Sequence, residues 1–127
     1  MKYNAVTEEL LQELRQVVGE KYVKTDPSVL DIYKADESLA PSYWVMPEAV
    51  VFPADARETA EIVKLANRYK VPLTPRGAGT SVSCGSVPAL GGIVVLTERM
   101  NHILECSEEG MYMVVEAGVR TADIQAL

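Results

Sequence analysis

The first third of the chain carries apolar residues at helical spacing. From Leu10 to Val18 they recur every three or four positions, which predicts an amphipathic helix. Thr7 is placed to cap its first turn and Gly19 to end it. A second, short helix is predicted to begin at Asp26, where a proline follows as the first helical residue. The two helices together predict an N-terminal helical arm over residues 1–39.

The pattern then changes to short apolar runs around one longer helical repeat. Ala49–Phe52 predicts a buried strand, and Asp55 is placed to cap a helix that ends near Lys70. A second strand is predicted over Val71–Thr74, so that strand, helix and strand form a βαβ unit with a right-handed crossover. The unbroken apolar run Ile93–Leu96 is typical of a central strand.

The last part of the chain predicts a hairpin and the start of a helix. Two apolar segments, Ile103–Cys106 and Met111–Glu116, flank the polar turn Ser107–Gly110. Thr121 is placed to cap a helix that has less than two turns before the sequence stops. Taken together, the elements predict an α+β fold of two helices, a βαβ unit and a small mixed sheet. Residues 40–127 are predicted to be the first part of a larger domain, truncated at its C-terminal end.

Aromatic residues are expected to join the arm to the rest of the chain. Tyr33 and Asp36 are predicted to pack the arm onto the domain. Tyr43 and Trp44 lie in an irregular, proline-bounded segment, and both rings are predicted to pack on the core because they carry large apolar surfaces.

The most distinctive stretch, Pro75–Gly85, follows the second strand of the βαβ unit and consists almost entirely of small residues. It offers a core little apolar area, but Gly77 and Gly79 allow a ligand to approach the main chain closely. Successive inward N–H groups form a nest for a phosphate or pyrophosphate. Arg76 adds a positive charge of matching geometry. The alternative interpretation is a flexible surface loop rich in turn residues.

This loop differs from the commoner phosphate-binding and catalytic loop motifs. Val82 stands where a Rossmann fingerprint needs its third glycine, and the Walker A lysine is missing because no lysine follows Val71. Ser81 replaces the first glycine of a nucleophile elbow. Cys84 and His102 have no identifiable orienting partner, so a nucleophile and base pair is not predicted.

Composition excludes several classes of function. The 127 residues are 48% hydrophobic and 24% charged, as in an ordinary globular protein. The net charge of −6 argues against nucleic acid or an anionic membrane as partner. Neither a secretory signal nor a run approaching about 18 apolar residues is present, so no membrane span is predicted. Two cysteines predict a reducing, cytoplasmic location, and a single histidine argues against a metal site.

Five segments, taken in order and spacing, resemble the FAD-binding domain of the vanillyl-alcohol-oxidase type, also called PCMH-type. The branch with the glycolate oxidase D-subunit and D-lactate dehydrogenase is the most similar. The resemblance covers about Leu30–Leu127. The segments are Val51-Phe52-Pro53, Val71–Thr80, Gly91–Leu96, Met100–Ile103 and Val114–Val119.

The resemblance implies an FAD site in the glycine-rich loop. In that family the P-R-G-x-G-T stretch wraps the FAD pyrophosphate with main-chain N–H groups. The implied cofactor-binding residues are Arg76, Gly77, Ala78, Gly79, Thr80 and Ser81, with Gly85 nearby and Gly118 closer to the flavin. Thr80 stands where relatives with covalent flavin carry histidine, so FAD is expected to be bound non-covalently. Cys84 stands where relatives usually have glycine, so the loop is not expected to pack as closely at this position.

The resemblance also implies an activity. It is that of a flavoprotein dehydrogenase or oxidase, which passes hydride from a 2-hydroxy acid of the glycolate or D-lactate type to flavin N5 and then electrons to an acceptor. The catalytic groups of that family lie outside this sequence, so no catalytic residue is assigned. The 127 residues alone are expected to bind FAD weakly or not at all, to be inactive and to self-associate. Two alternatives stay open: a non-redox nucleotide-binding module, and another reaction on the same fold, such as alkyl-ether phospholipid synthesis.

Overall fold

The computed structural model describes residues 2–127, which form a mixed α+β fold. Helices α1 to α4 span Glu8–Val18, Pro27–Leu30, Ala56–Tyr69 and Thr121–Gln125. Strands β1 to β6 span Val23–Lys24, Ala49–Val51, Leu73–Arg76, Ile93–Leu96, Ile103–Ser107 and Tyr112–Val115. Single 3-10 turns lie at Glu20–Tyr22, Asp31–Tyr33 and Pro41–Tyr43. Among these described residues, no helix is both long and apolar enough to span a bilayer.

Four strands form the main sheet, in the order β1-β2-β4-β3. Strands β2, β4 and β3 are parallel, and the short β1 pairs antiparallel with β2. The predicted unit is therefore present as β2-α3-β3, but β4 lies between its two strands. All four residues of β4 are buried, which suits a central parallel strand covered on both faces.

Alternate residues of β2 and β4 enter two different cores, because successive side chains of a strand point to opposite faces. The core on the α1 and α3 side comprises Leu10, Leu14, Val18, Val23, Ala49, Val51, Ile62, Leu65, Val71, Ile93 and Val95. The core on the other side comprises Leu30, Val50, Phe52, Val94 and Leu96. Helix α1 thus supplies one core and α2 the other, so both helices of the arm pack on the sheet.

The predicted helix starts are confirmed for the two longest helices. The Thr7 hydroxyl accepts the N–H of Leu10 at 3.3 Å, at the beginning of α1. The Asp55 carboxylate accepts the N–H of Glu58 at 2.8 Å, at the beginning of α3. Each bond satisfies a donor that the first helical turn leaves without an intrahelical partner.

Several element boundaries differ from the prediction, among them those of β3 and α4. The strand predicted over Val71–Thr74 is observed over Leu73–Arg76, and it includes Pro75. Because β3 is the edge strand of the sheet, the missing N–H of this proline costs no ladder hydrogen bond. Thr121 was predicted to be a helix cap, which is wrong: Arg120 holds the cap position and Thr121 is the first helical residue.

The prediction that Tyr43 and Trp44 pack on the core is wrong. Their exposed fractions are 59% and 36%, and both lie outside the two core clusters. Residues of the arm pack on the sheet instead: Leu30 is buried in the core that includes Phe52, and the ring of Tyr33 meets that of Phe52 edge-on at 6.5 Å. Tyr33 therefore packs the arm onto the domain, as predicted.

Strands β5 and β6 form a separate antiparallel hairpin, as predicted. Its register is irregular between Ile103 and Glu105. No residue from 97 to 127 is fully buried. Apolar side chains remain in solvent, with Leu104 62% and Met111 90% exposed. The hairpin is thus attached to the main sheet mainly through its ends.

Candidate functional site

Two loops leave the main sheet side by side at one edge. Arg76 ends β3 and Leu96 ends β4, and these two residues are paired in register. The N–H of Thr97 then donates to the carbonyl of Arg76 at 3.1 Å, which extends the pairing by one residue. Ligands in α/β folds commonly bind beyond the carboxyl ends of parallel strands, and the glycine-rich loop begins at this edge.

A cleft of about 450 Å³ lies at this edge, between the glycine-rich loop and the turn that follows β6. Its volume is that of a small-molecule site, for which about 300–1,000 Å³ is usual. The lining residues are Gly77, Ala78, Thr97, Glu98, Ala117, Gly118, Val119, Arg120 and Thr121. The fold therefore brings three predicted site residues together, Gly77 and Ala78 on one wall and Gly118 on the other.

Gly118 is the point where the two walls of the cleft meet. A Cβ at this position would lie 1.9 Å from the carbonyl oxygen of Thr97 and 2.9 Å from that of Met100. The Gly118 N–H donates to the Met100 carbonyl at 2.8 Å, and the Thr97 hydroxyl donates to the carbonyl of Ala117 at 3.3 Å. Only glycine allows such a close approach between the two backbones.

Gly77 has a different environment. A Cβ built on it meets no atom within 4 Å among the described residues, and its main chain is exposed to the cleft. The φ of Gly77 is not positive, so its backbone conformation does not require glycine. What glycine provides here is open space next to the main chain.

At position 79, glycine is required by the packing of the protein itself. It is buried, with a φ of 77°, and a Cβ would lie 2.1 Å from Nη2 of Arg76. A Gly79→Val substitution would therefore distort the loop even without a ligand. The Arg76 side chain itself is 8% exposed, donates to the carbonyls of Ala35 at 2.6 Å and Ser86 at 3.5 Å, and lies over the ring of Tyr33.

The rest of the loop is not part of the lining of the cleft. Thr80 and Gly85 are exposed, and the Ser81 hydroxyl accepts the N–H groups of Ser83 at 3.4 Å and Gly85 at 3.2 Å. Cys84 has a φ of 60°, in the left-handed region that glycine occupies without steric cost. Thr80, Ser81 and Gly85 are thus close to the cleft in sequence, but its lining is made by other residues.

The charged side chains at the cleft are at its rim. Glu98 is exposed. Arg120 makes two hydrogen bonds with the Asp123 carboxylate, at 2.8 and 2.9 Å. This pair lowers the pKa of Asp123 and raises the pKa of Arg120. Within residues 2–127, no group of three His, Cys, Asp or Glu side chains is placed to hold a metal ion.

Six of the nine lining residues were not among the residues predicted from the sequence. Those that directly follow β4 had a usable signal, because residues after a buried parallel strand often contact ligands. After β6, Ala117 and Val119 flank the predicted Gly118 inside the resembling segment, whereas Arg120 and Thr121 had no signal, since their place depends on how the hairpin folds back onto the sheet. The missed residues are Thr97, Glu98, Ala117, Val119, Arg120 and Thr121.

The parallel strand ends, the glycine-rich loop and the cleft walled by backbone are together typical of a nucleotide-binding domain. Residues 47–127 match a known family, described as FAD binding domain. This match covers more than half of the chain. The chain belongs to this family of FAD-binding domains, which confirms the resemblance seen in the sequence.

Two curated relatives indicate the branch of this family to which the chain is similar. The chain is 34% identical over 119 residues to glycolate oxidase subunit GlcD of Bacillus subtilis (strain 168), covering 94% of the chain and 25% of that protein. It is 38% identical over 118 residues to D-2-hydroxyglutarate dehydrogenase of Stutzerimonas stutzeri (strain A1501), covering 91% and 25%. The chain thus spans about a quarter of the length of the relatives it matches.

A solved structure confirms the fold. Substrate-bound p-cresol methylhydroxylase superposes with a TM-score of 0.84 over 98% of the chain and 25% of that protein, at 22% sequence identity. At this identity the likeness concerns the fold alone. The predicted fold class, the first half of a PCMH-type domain, is therefore confirmed.

Proposed function

We propose that this chain is the FAD-binding part of a flavoprotein dehydrogenase or oxidase that acts on a 2-hydroxy acid of the glycolate or D-lactate type. Its family supports FAD as the cofactor. The names of the two relatives, glycolate oxidase and D-2-hydroxyglutarate dehydrogenase, share a 2-hydroxy acid substrate. The observation that carries the proposal is the cleft whose two walls are formed by backbone at Gly77, Ala78 and Gly118.

In this proposal the loop binds the pyrophosphate through its main chain. The N–H groups of residues 77–81 face the phosphates, Gly85 lies nearby, and Gly118 is closer to the flavin ring. The open space beside Gly77 lets the phosphates reach the backbone. Because the protein carries a net charge of −6, local N–H dipoles rather than the overall field hold the anion. When bound, FAD supplies the hydride-accepting chemistry.

The proposal includes non-covalent attachment of FAD. Thr80 has a hydroxyl where a histidyl link would need an imidazole. The single histidine, His102, lies directly before β5, with its Nδ1 2.6 Å from the Glu116 carboxylate. Acid precipitation of the flavin-loaded, full-length protein should leave FAD in the supernatant. Flavin that stays in the pellet would contradict non-covalent binding.

We infer that residues 40–127 are the first part of a larger flavin domain and that residues 1–39 are its arm. Further chain would then cover the exposed apolar side chains of the hairpin and supply the catalytic groups and the electron-acceptor site. A cytoplasmic location accompanies this proposal, because Cys84 and Cys106 are both free thiols, which suits a reducing compartment.

The proposal is tested by flavin affinity in the full-length protein. Gly77→Val fills the open space beside the loop, so the affinity for FAD should fall by about tenfold or more while circular dichroism stays unchanged and the melting temperature falls by no more than a few degrees. Ser83→Val places a similar side chain at an exposed position of the same loop and should leave FAD affinity unchanged. Equal affinity in all three proteins would remove the loop from the site.

The type of reaction is tested separately. A dehydrogenase should be purified yellow, and its flavin should bleach when D-lactate, glycolate or D-2-hydroxyglutarate is added without an acceptor. A colourless protein that binds ADP would favour the non-redox nucleotide-binding module. A yellow protein that none of the three acids reduces would favour another reaction on the same fold.

The 127 residues alone test the domain boundary. Since one wall of the cleft rests on a poorly buried hairpin, this piece should bind FAD weakly or not at all and should not oxidise 2-hydroxy acids. Calorimetric titration with FAD measures the first point, and an assay with D-lactate and glycolate the second. Tight, stoichiometric binding by a monodisperse monomer would mean that the domain is already complete.

A further inference from the structure

We propose that Arg76 is a positioning residue, which fixes the shape of the glycine-rich loop by joining it to the N-terminal arm, and that its guanidinium does not contact phosphate. The inference rests on the proposed FAD function, because it assigns the role of Arg76 within that site. If Arg76 positions the loop, its substitution should change the loop even when no flavin is bound. If Arg76 only contacted phosphate, the flavin-free loop should stay unchanged.

The positive charge of Arg76 lies inside the protein. The Arg76 side chain is 8% exposed, and its Nη1 donates to the Ala35 carbonyl at 2.6 Å and to the Ser86 carbonyl at 3.5 Å. The guanidinium carbon lies 5.6 Å from the centre of the Tyr33 ring, within the range of a cation–π contact. A buried charge needs such partners to offset its lost hydration, so the guanidinium is held beneath the loop.

The Arg76 guanidinium packs against the turn at Gly79. Three of its atoms, Nη2, Cζ and Nε, would lie 2.1, 2.5 and 2.9 Å from a Cβ at Gly79. The left-handed turn at Gly79 therefore packs directly on the Arg76 side chain. Because the Arg76 side chain fills that side of the turn, a phosphate that binds the loop has to approach from a different side.

The N-terminal arm also contacts the glycine-rich loop at further points. The Glu37 N–H donates to the carbonyl of Ser81 at 3.0 Å. The Ser38 hydroxyl, on a side chain that is 5% exposed, lies 3.1 Å from the sulfur of Cys84. With the bond from Arg76 to the Ala35 carbonyl, residues 35–38 hold the loop at its beginning, middle and end.

The experiment measures hydrogen exchange in the flavin-free, full-length protein. The reporters are the amides of Glu37, Gly85 and Val87, which donate to acceptors in the loop. Arg76→Met should raise their exchange rates by about tenfold or more, because the contacts between arm and loop open. The control Arg57→Met, at an exposed position of α3, should leave them unchanged.

Arg76→Lys separates positioning from charge. Lysine keeps the charge and most of the stem, but it lacks the planar fork that reaches two carbonyls. We expect it to raise exchange as Arg76→Met does and to fail to restore FAD affinity. It also serves as the test variant if Arg76→Met does not fold, which circular dichroism would reveal.

Two results would overturn the inference. Unchanged exchange in the flavin-free loop, with FAD affinity lost in Arg76→Met and kept in Arg76→Lys, would identify Arg76 as a phosphate ligand. Raised exchange with wild-type FAD affinity in both variants would show that the loop shape does not matter for binding. If the wild-type protein itself binds no FAD while exchange rises in the variants, the proposed function fails and the support of the loop by Arg76 stands.

Discussion

The two sheets of this domain have similarly apolar strands but very different environments. In the main sheet, Val50 and Val94 are completely buried, whereas Leu104 and Met111 of the hairpin are 62% and 90% exposed. The difference comes from what covers them: helices of the arm and α3 lie on the main sheet, and nothing among residues 2–127 lies on the hairpin in the same way. A two-stranded hairpin alone is only marginally stable in water.

This difference matters because the candidate FAD cleft has one wall on each region. The glycine-rich loop leaves the buried sheet and is held by the Arg76 contacts. The opposite wall follows the hairpin and is joined to the first mainly through Gly118, Thr97 and Met100. One half of the site is therefore preorganised by a core, while the other depends on a few backbone contacts.

The largest effect should come from a matched pair of leucines. Leu96 is 2% exposed in β4, and Leu104 is 62% exposed in β5. Leu96→Ala should lower the free energy of unfolding by about 2–5 kcal/mol, because it leaves a cavity in a packed core. Leu104→Ala should change it by about 0.5 kcal/mol or less. Urea unfolding measures both, and equal losses would mean that the hairpin is as well packed as the main sheet.

The next effect concerns the junction of the two regions. Gly118→Ala forces a Cβ against the Thr97 carbonyl, so it should cost about 1–3 kcal/mol, as overpacking does, and raise hydrogen exchange in the hairpin. Gly77→Ala adds the same methyl group into open space and should cost about 1 kcal/mol or less. If Gly118→Ala is the more stable variant, the two walls do not meet as described.

Self-association of the 127-residue chain should also differ between the regions. If the uncovered hairpin drives it, Leu104→Glu should reduce association measured by light scattering. The matched control is Leu39→Glu, at a position of the N-terminal arm that is 99% exposed. This control should have less effect. Equal reductions would assign the contact surface to both regions.

The smallest effect on stability is expected when the pH is lowered. Glu116 accepts the backbone N–H of His102 at 2.9 Å and its ring Nδ1 at 2.6 Å, and these bonds lower the Glu116 pKa from 4.5. Because the folded pKa is the lower one, the contribution to stability is present above pH 4.5 and is lost as pH falls through the folded value.

Hairpin amide exchange, followed between about pH 6 and pH 3, should therefore speed up at the acid end beyond the intrinsic change. Glu116→Gln should already exchange faster at the upper end and lose this additional response. Glu109→Gln, on the exposed hairpin turn, should behave as the wild type. A wild-type response in Glu116→Gln would exclude the carboxylate as its source.

Local patterns in the sequence determined much of this protein. The cap residues Thr7 and Asp55, the helical repeats after them and the apolar run Ile93–Leu96 identified the elements correctly, because each signal acts within one or two turns of chain. The small residues of Pro75–Gly85 located the glycine-rich loop at a strand end, and the spacing of several segments indicated the family.

Tertiary structure decided the rest. The place of β4 between β2 and β3, the exposure of Trp44, the burial of Arg76 and the meeting of Gly118 with Thr97 all depend on contacts between residues that are distant in sequence. Apolar periodicity does not encode which elements cover a strand, nor which way an arginine turns at the end of one. Those outcomes are set by competition for the two faces of one sheet, and that competition involves the whole chain.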